Sequence, residues 1–270
     1  MILEHASATH PGLVRATNED AVGHVLPERP DLLRRRGAVF AVADGVGGHA
    51  AGEVASATAI RDVLAAYYSP SAPHAVEAAL TGAIQAANAH IHAMAAGDDA
   101  GLAGMQTTVS VLVLADRHSF VGHAGDTRVY RLRGATLSQL TADHSEAAEL
   151  VRLRLVAPDQ AASHPRRSVL TRTLGATARL RPDFARAPLE DGDTFLLCSD
   201  GLWGEVVDDE LAAVMADPPD AGCERLVAMA CDRGGGDNVT VAIIRVIDAG
   251  EAAPAPPGRI ARMLAGLRGG

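Results

Sequence analysis

The stretch TTVSVLVLADRHSFVGHAGDTRVYRLR, residues 107–133, decides the fold because it holds three strand-like runs in close succession. Thr107–Ala115, Ser119–Ala124 and Arg128–Arg133 are short and rich in β-branched residues, and polar or glycine-containing turns bound them. The tripeptides DRH and GDT between these runs predict a hairpin followed by a second turn. Successive strands without an intervening helix pair antiparallel. The stretch therefore predicts an antiparallel sheet.

Further strands and paired helices are predicted on both sides of this stretch. The strands are expected at Ala38–Ala43, Thr194–Cys198 and Val239–Ile247. In Glu53–Tyr67 and Ala75–Met94 apolar residues recur every three or four positions, which predicts helices with one apolar face each. Strands in groups with helices in pairs indicate an α+β layered domain rather than a doubly wound one. Shorter helices are expected at Glu146–Val156, Asp208–Ala216 and Asp220–Cys231.

The composition is that of a globular protein in which acidic residues outnumber basic ones. The formal net charge of −9 argues against general binding to nucleic acid or to anionic membranes. The chain has no lysine, which excludes Schiff-base chemistry and a P-loop. The three cysteines lack zinc-site spacing, the amino terminus lacks a leader pattern, and no apolar run reaches the roughly 18 residues of a membrane helix. The sequence predicts a cytoplasmic protein, which we expect to be a monomer.

The carboxyl-terminal residues differ in composition from the rest. Ala249–Gly258 is a Pro/Ala linker, which is expected to be extended. Arg259–Arg268 is basic, with apolar residues at helical spacing; we interpret it as a flexible tail, and a membrane or partner anchor is the alternative. We therefore predict one domain over residues 1–248 and a flexible segment over residues 249–270.

Aspartates recur where the predicted strands begin or end. Asp44 follows AVFAVA, Asp126 ends FVGHAG, Asp200 follows TFLLCS, and Asp237 precedes VTVAIIRV. One Asp-Gly pair on its own is more often an ordinary turn than a site. Stacked sheets, however, bring such strand ends to a common rim, where four carboxylates repel one another. Divalent cations at that rim would relieve the repulsion.

The available ligands indicate which cation. The acidic residues and a backbone carbonyl at the flexible Gly45 are hard oxygen donors, without a cysteine or a histidine pair among them. Such ligands suit Mg²⁺ or Mn²⁺ rather than zinc or copper. Glu19 and Asp20, in the polar stretch RATNED, add two more carboxylates near the start of the chain.

A series of short motifs runs in order from Gly12 to Val246. The motifs are Gly12-Leu-Val-Arg-x-x-Asn-Glu-Asp20, Asp44-Gly-Val-Gly-Gly-His49, Gly52-x-x-Ala55, Met105-Gln-Thr-Thr108, Gly125-Asp-Thr-Arg128, Leu140-Thr-x-Asp-His-Ser145, Leu170-Thr-Arg-Thr-Leu-Gly175, Cys198-Ser-Asp-Gly-Leu202 and Gly235-Gly-Asp-Asn-Val-Thr240. In this order they resemble the metal-dependent protein serine/threonine phosphatases (the PPM, or type 2C, family) in its bacterial branch. Each motif alone is weak, and their common order makes the resemblance specific.

The resemblance implies a fold and an activity. The fold is a four-layer αββα sandwich of two antiparallel sheets flanked by helices. The activity is hydrolysis of phosphoserine and phosphothreonine in proteins by a metal-bridging hydroxide, with two core Mn²⁺ or Mg²⁺ ions and a third, weaker one. The partners would be phosphorylated proteins, including a cognate serine/threonine kinase that the enzyme opposes.

The resemblance also implies roles for individual residues. Asp44 is expected to bridge two ions, with Asp200 and Asp237 completing the ligands of the first. Asp126, with Asp200, is expected to hold the third ion. At the second ion the expected groups are the Gly45 carbonyl, Glu19 and Asp20, directly or through water.

Arg15 matches the arginine that binds the substrate phosphate. Its planar guanidinium can hold two phosphate oxygens at once, which a lysine could not do. The alternative interpretation of Arg15 is a surface ion pair with Glu19.

The sequence departs from the family pattern at three positions. Val46 stands where animal members carry a histidine proposed as general acid, so a metal-bound water is expected to protonate the leaving alkoxide instead. Gln106 replaces a glycine and Thr127 a serine, which are mild changes. The segment Ser145–Ser168 matches the variable flap beside the site, where substrate preference is expected to arise.

Two other functions remain open at this point. A catalytically inactive family member could serve as a signalling module, although it would have no need to keep repelling carboxylates together. A phosphatase for small phosphoesters is the other, although the chain lacks a separate cap domain to enclose such a substrate.

Overall fold

The computed structural model describes residues 1–46, 51–161 and 164–250. Gly47, Gly48 and His49 of the motif after Asp44, and the tail from residue 251 onward, lie outside the described residues. None of the helices described is long and apolar enough to cross a membrane.

The strands form two antiparallel sheets. The first sheet has the order β1 (Ile2–His10), β11 (Val239–Asp248), β10 (Thr194–Cys198), β7 (Arg128–Arg133) and β8 (Thr136–Gln139). The second has the order β2 (Asp20–Val25), β3 (Ala38–Val46), β5 (Val109–Ala115), β6 (His118–Ala124) and β9 (Asp183–Pro188), with β4 (Gln106–Thr107) beside β3.

Helices cover the outer face of each sheet. One buried apolar cluster joins the second sheet to α2 (Ala51–Tyr67) and α3 (Val76–Ala95), and another joins the first sheet to α7 (Asp208–Val214) and α8 (Pro219–Asp232). A third cluster, which includes Phe40, Leu112 and Phe195, fills the space between the sheets. This is the predicted αββα sandwich. The remaining helices are α1 (Pro30–Arg36), α4 (Glu146–Arg152), α5 (Pro158–Ala161) and α6 (Asp200–Trp203).

The strands that the sequence pattern did not reveal are the edge strands of the two sheets. β1, β8, β2 and β9 end the two strand orders, whereas every predicted run lies in the interior of a sheet. Interior strands are buried on both faces and read as continuous apolar runs. The edge strands contain no buried residue, as the half-exposed pattern of β1 illustrates, so they lack that signal.

Two predicted boundaries are wrong. Asp44 and Gly45 do not follow β3 but belong to it, because Asp44 pairs with Asp20 across the sheet and Gly45 pairs with Thr107. The expected strand Thr107–Ala115 is interrupted at Thr108, which separates β4 from β5. The predicted hairpin between β5 and β6 is present, with Asp116 and Arg117 both at positive φ (46° and 55°) in its two-residue turn.

The folded unit extends beyond Asp248, the boundary expected from composition. Ala249 is 5% exposed and belongs to the cluster between the sheets. Its backbone N–H donates to Asp191 Oδ1 at 2.9 Å, and the Gly250 carbonyl accepts from Arg117 Nη1 at 2.7 Å. These two residues therefore belong with the sandwich rather than with the linker.

Ending the chain after Asp248 should cost stability, whereas ending it after Gly250 should not. Loss of two hydrogen bonds and one buried methyl group should lower the free energy of unfolding by about 1–2 kcal/mol. Urea denaturation of residues 1–248, residues 1–250 and the full chain measures this. Equal stability of the two shortened chains would contradict the structural role of Ala249.

Candidate active site

The predicted acidic residues meet at one rim of the sandwich, and both sheets contribute. Asp20 and Asp44 are paired on β2 and β3 of the second sheet. Asp126 lies in the loop from β6 to β7, where the chain crosses from the second sheet to the first. Asp200 begins α6 directly after β10, and Asp237 lies just before β11. The rim expected from the sequence therefore exists.

A cavity of about 210 Å³ opens at this rim. Asp20 does not line the cavity, and its carboxyl contacts Ser199 instead. The predicted site residues that do line it are Arg15, Glu19, Asp44, Gly45, Asp126, Asp200 and Asp237.

Burial and mutual repulsion make these carboxyl groups hard to ionise without a cation. Burial raises the pKa of Asp20 to about 7 and that of Asp200 to about 6, and neighbouring carboxylates add to both shifts. Burial, followed by repulsion from the other aspartates, also raises the pKa of Asp44 and of Asp126 well above the usual value. Positive charge in the cavity would reverse these shifts.

Two oxygens of this cluster lack a hydrogen-bond partner. Within the described part of the chain, Asp20 Oδ1 and Asp200 Oδ1 are the only buried side-chain oxygen or nitrogen atoms without one. A buried, unpaired carboxylate oxygen is costly and requires an explanation such as a bound ion. Both oxygens belong to residues expected to act at divalent ions.

The side chains do not form a finished cage. No three Asp, Glu, His or Cys side chains in the described ranges are gathered closely enough to hold an ion in their present positions. Asp237 is instead turned toward Arg15, with 2.8 Å between its Oδ2 and Nη2, and Asp20 Oδ2 accepts from Ser199 Oγ at 2.6 Å. The fit of a hard divalent ion therefore depends on the all-oxygen donor set and on the two unpaired oxygens.

Backbone hydrogen bonds fix Asp44. Its N–H donates to Thr108 Oγ1 at 2.9 Å, and its carbonyl accepts from Thr108 N and Thr107 Oγ1, both at 2.8 Å. The next residue must be small, because a Cβ on Gly45 would lie 2.3 Å from the Gly52 carbonyl oxygen. Asp44 is thus held on a strand that cannot shift without breaking these contacts.

Asn238 organises the loop that carries Arg15 and Glu19. Its Oδ1 accepts from Glu19 N at 2.8 Å, and its Nδ2 donates to the carbonyls of Pro11 and Thr17 at 2.9 Å each. Asn238 stands in a motif of the sequence, next to Asp237, but no role for it was predicted.

Arg15 is 47% exposed and lines the cavity. Its ion pair is with Asp237 rather than with Glu19, the partner considered from the sequence. The hydrogen bond and charge of Asp237 raise the pKa of the Arg15 guanidinium further. Arg15 therefore places positive charge at the wall of an otherwise acidic cavity.

Four further lining residues were not predicted as site residues. Ser168 and Leu170 bring the end of the predicted flap to the cavity, while Thr108 and Val46 come from the central strands. Val46 presents no titratable group at the position where a histidine was considered. Val46, Thr108 and Leu170 stand in motifs of the sequence, but long-range packing is what brings them to the cavity.

Comparisons with known proteins agree with this geometry. The family described as protein phosphatase 2C matches residues 16–225. The protein phosphatase PhpP of Streptococcus pneumoniae is 34% identical over 247 residues, covering 90% of this chain and 97% of PhpP. The crystal structure of the Mycobacterium tuberculosis serine/threonine phosphatase PstP superposes with a TM-score of 0.81 at 34% identity, covering 92% of this chain and all of that chain. A PstP catalytic domain in complex with two manganese ions superposes with a TM-score of 0.78 at 34% identity, covering 91% and 99%.

Replacing Asp44 with asparagine should stabilise the metal-free protein at neutral pH. The raised pKa of Asp44 means that the folded state resists ionisation, so wild-type stability falls as the pH rises from about 4, the pKa of an unfolded aspartate, toward its folded pKa. In EDTA at pH 8 the Asp44→Asn variant should melt several degrees higher, at about 2–4 °C per kcal/mol, and the difference should vanish near pH 4.

Thermal denaturation in EDTA at several pH values measures this difference. Asp98→Asn, which removes an exposed carboxylate that does not line the cavity, is the matched control and should change little. An Asp44→Asn protein less stable than wild type at pH 8 would contradict the repulsion argument.

Proposed function

Because the chain belongs to the protein phosphatase 2C family, we propose that the acidic cavity is its active site. The protein is a serine/threonine phosphatase, as its relative PstP is named, while PhpP is named a protein phosphatase. The observation that carries the assignment of the site is the convergence of carboxylates from both sheets on a cavity that also holds Arg15. Unpaired buried oxygens support it, one on Asp200 in the cavity wall and one on Asp20, which pairs with Asp44 across the sheet.

The enzyme is metal-dependent, and we assign Asp44, Asp200 and Asp237 to one core ion. Asp44, the Gly45 carbonyl, Glu19 and Asp20 would serve the second, and Asp126 with Asp200 a weaker third. Mn²⁺ or Mg²⁺ fits these oxygen donors, and the relative PstP is described with two manganese ions. When bound, the ions would supply Lewis acidity and an activated water for attack on phosphorus at neutral pH.

The chain itself supplies binding and orientation. The Arg15 guanidinium can donate to two phosphate oxygens, which fixes the ester and balances its charge against the carboxylates. In the structure the same guanidinium is paired with Asp237. Arg15 thus connects the phosphate to a residue expected to act at an ion.

Phosphoproteins are the substrates that the family implies, and the open rim supports this. The cavity has space for a phosphate group and its ester oxygen, while Ser168 and Leu170 lie at its border. A phosphorylated side chain protruding from a protein can enter without a lid. We further propose that residues 1–250 act as one unit, as a monomer in the cytoplasm, and that a cognate serine/threonine kinase supplies the substrates.

Metal removal and loss of either central aspartate should each abolish activity. EDTA should stop hydrolysis of p-nitrophenyl phosphate and of phosphothreonine peptides, and Mn²⁺ or Mg²⁺ should restore it. Asp44→Asn and Asp200→Asn should lose about a thousandfold in turnover, which corresponds to about 4 kcal/mol of transition-state stabilisation. Asp98→Asn should remain active. An Asp44→Asn variant with most of its activity would refute the site.

Replacing Arg15 with alanine should raise KM for phosphothreonine peptides by about ten- to a hundredfold, since a charge-assisted contact to phosphate contributes about 1.5–3 kcal/mol. Manganese binding, followed by calorimetry, should be kept. Arg61→Ala is the matched control, because Arg61 is also exposed and paired with an aspartate, but on α2. A wild-type KM for Arg15→Ala would exclude phosphate binding by Arg15.

A further inference from the structure

One aromatic side chain joins two of the acid-bearing segments. Trp203, the only tryptophan of the chain, ends the short helix α6 that Asp200 begins. Its indole Nε1–H donates to the backbone carbonyl of Asp126 at 3.0 Å. Asp126 lies in the loop that crosses between the sheets and Asp200 follows β10 of the first sheet, and this hydrogen bond links the two segments.

Arg128 holds the indole from the other side. Its guanidinium carbon lies 3.7 Å from the centroid of the Trp203 ring, which is the geometry of a close cation–π contact. The same guanidinium is fixed by Asp143, to which Nε donates at 3.0 Å and Nη2 at 2.6 Å, and by the Tyr130 hydroxyl, to which Nη1 donates at 2.9 Å. Because Arg128 has no freedom to swing away, Trp203 is held in a single orientation.

The residue before Asp126 is also fixed. The Gly125 N–H donates to His144 Nδ1 at 3.1 Å, and the Gly125 carbonyl accepts from His144 N at 2.7 Å. Gly125 has a φ of 116° and its Cα lies against Thr108, so the chain here has little room to move. The Asp126 loop is thus bound on one side by His144 and on the other by Trp203.

The Trp203 hydrogen bond restrains two like charges at one cavity. Asp126 and Asp200 both line the cavity, and the Asp126 loop is one of the connections between the two sheets. β7 and β10 are paired as far as Arg128 and Cys198, and the Trp203 hydrogen bond ties the segments that continue beyond the ends of these strands. The Trp203 hydrogen bond acts on the Asp126 backbone and leaves the Asp126 carboxylate available.

We propose that Trp203 is a positioning residue that sets the separation of Asp126 and Asp200, and so the affinity of the weaker third ion. This inference rests on the proposed function, in which these two residues share that ion. It also makes the indole an internal reporter, since an ion held by Asp126 would polarise the carbonyl to which Nε1–H donates.

Trp203→Phe tests the hydrogen bond most directly. Phenylalanine keeps an aromatic ring on which Arg128 can stack, but it lacks the indole N–H donor. Mn²⁺ titration by calorimetry should show two unchanged tight ions and a third bound about five- to tenfold more weakly, the effect of one lost hydrogen bond. Tyr67→Phe is the matched control: it also removes an aromatic donor to a backbone carbonyl, here that of Arg36 at 2.7 Å, and it should bind Mn²⁺ like wild type.

Fluorescence provides a readout that does not depend on a Trp203 variant folding correctly. In the wild-type protein the tryptophan emission should change with the weak phase of the Mn²⁺ titration. In Asp126→Ala the weak phase and its emission change should both disappear, while the tight ions remain.

The outcomes separate this inference from the proposed function. If Asp126→Ala loses the third ion but Trp203→Phe binds it like wild type, the role of Trp203 is refuted and the metal centre stands. An emission change that follows only the tight ions, or that persists in Asp126→Ala, also refutes it. A wild-type protein that binds no ion would overturn the metal centre and the inference together.

Discussion

Repulsion among buried carboxylates is the constraint on which the rest of this structure depends. Burial, with repulsion from neighbouring carboxylates added to it, raises the pKa of Asp20, Asp44, Asp126 and Asp200. Two oxygens of these residues have no hydrogen-bond partner. Such a cluster lowers the stability of the ion-free fold and can persist only because the surrounding packing compensates. A hard divalent cation would relieve the repulsion between these carboxylates, and this relief would favour its binding.

The sandwich holds these groups together by placing each on a rigid element. Cross-strand pairing fixes Asp20 opposite Asp44, and two threonines hold the Asp44 backbone. The apolar cluster between the sheets keeps their ends adjacent, so that residues far apart in sequence face one cavity. In the loop of Asp126, the structure adds hydrogen bonds from Trp203 and with His144. Rigid support of this kind is what precise placement of ligands requires.

Arg15 and the acidic residues lie on different walls of the cavity. The cavity is acidic on the side of the strands, whereas Arg15 supplies positive charge on the wall formed by the loop before β2. A phosphate ester requires both walls. Its oxygens are attracted to the positive charge of Arg15, and its phosphorus would face the ions held by the carboxylates. In the proposed function, charge within the cavity is thus divided between an acidic side for the ions and the Arg15 side for the phosphate.

The sequence by itself determined the interior strands, the long helices, the family and the acidic residues of the site. These features have local signals, because strands buried on both faces read as apolar runs and motif residues have fixed spacing. Only the tertiary structure decided the edge strands β1, β2, β8 and β9, which are too exposed to leave such runs. It also decided that Asp44 lies within a strand, that Arg15 pairs with Asp237, and that Trp203 binds the Asp126 carbonyl. Each of these depends on contacts between segments distant in sequence, which hydrophobic packing of the two sheets brings together and which no local pattern encodes.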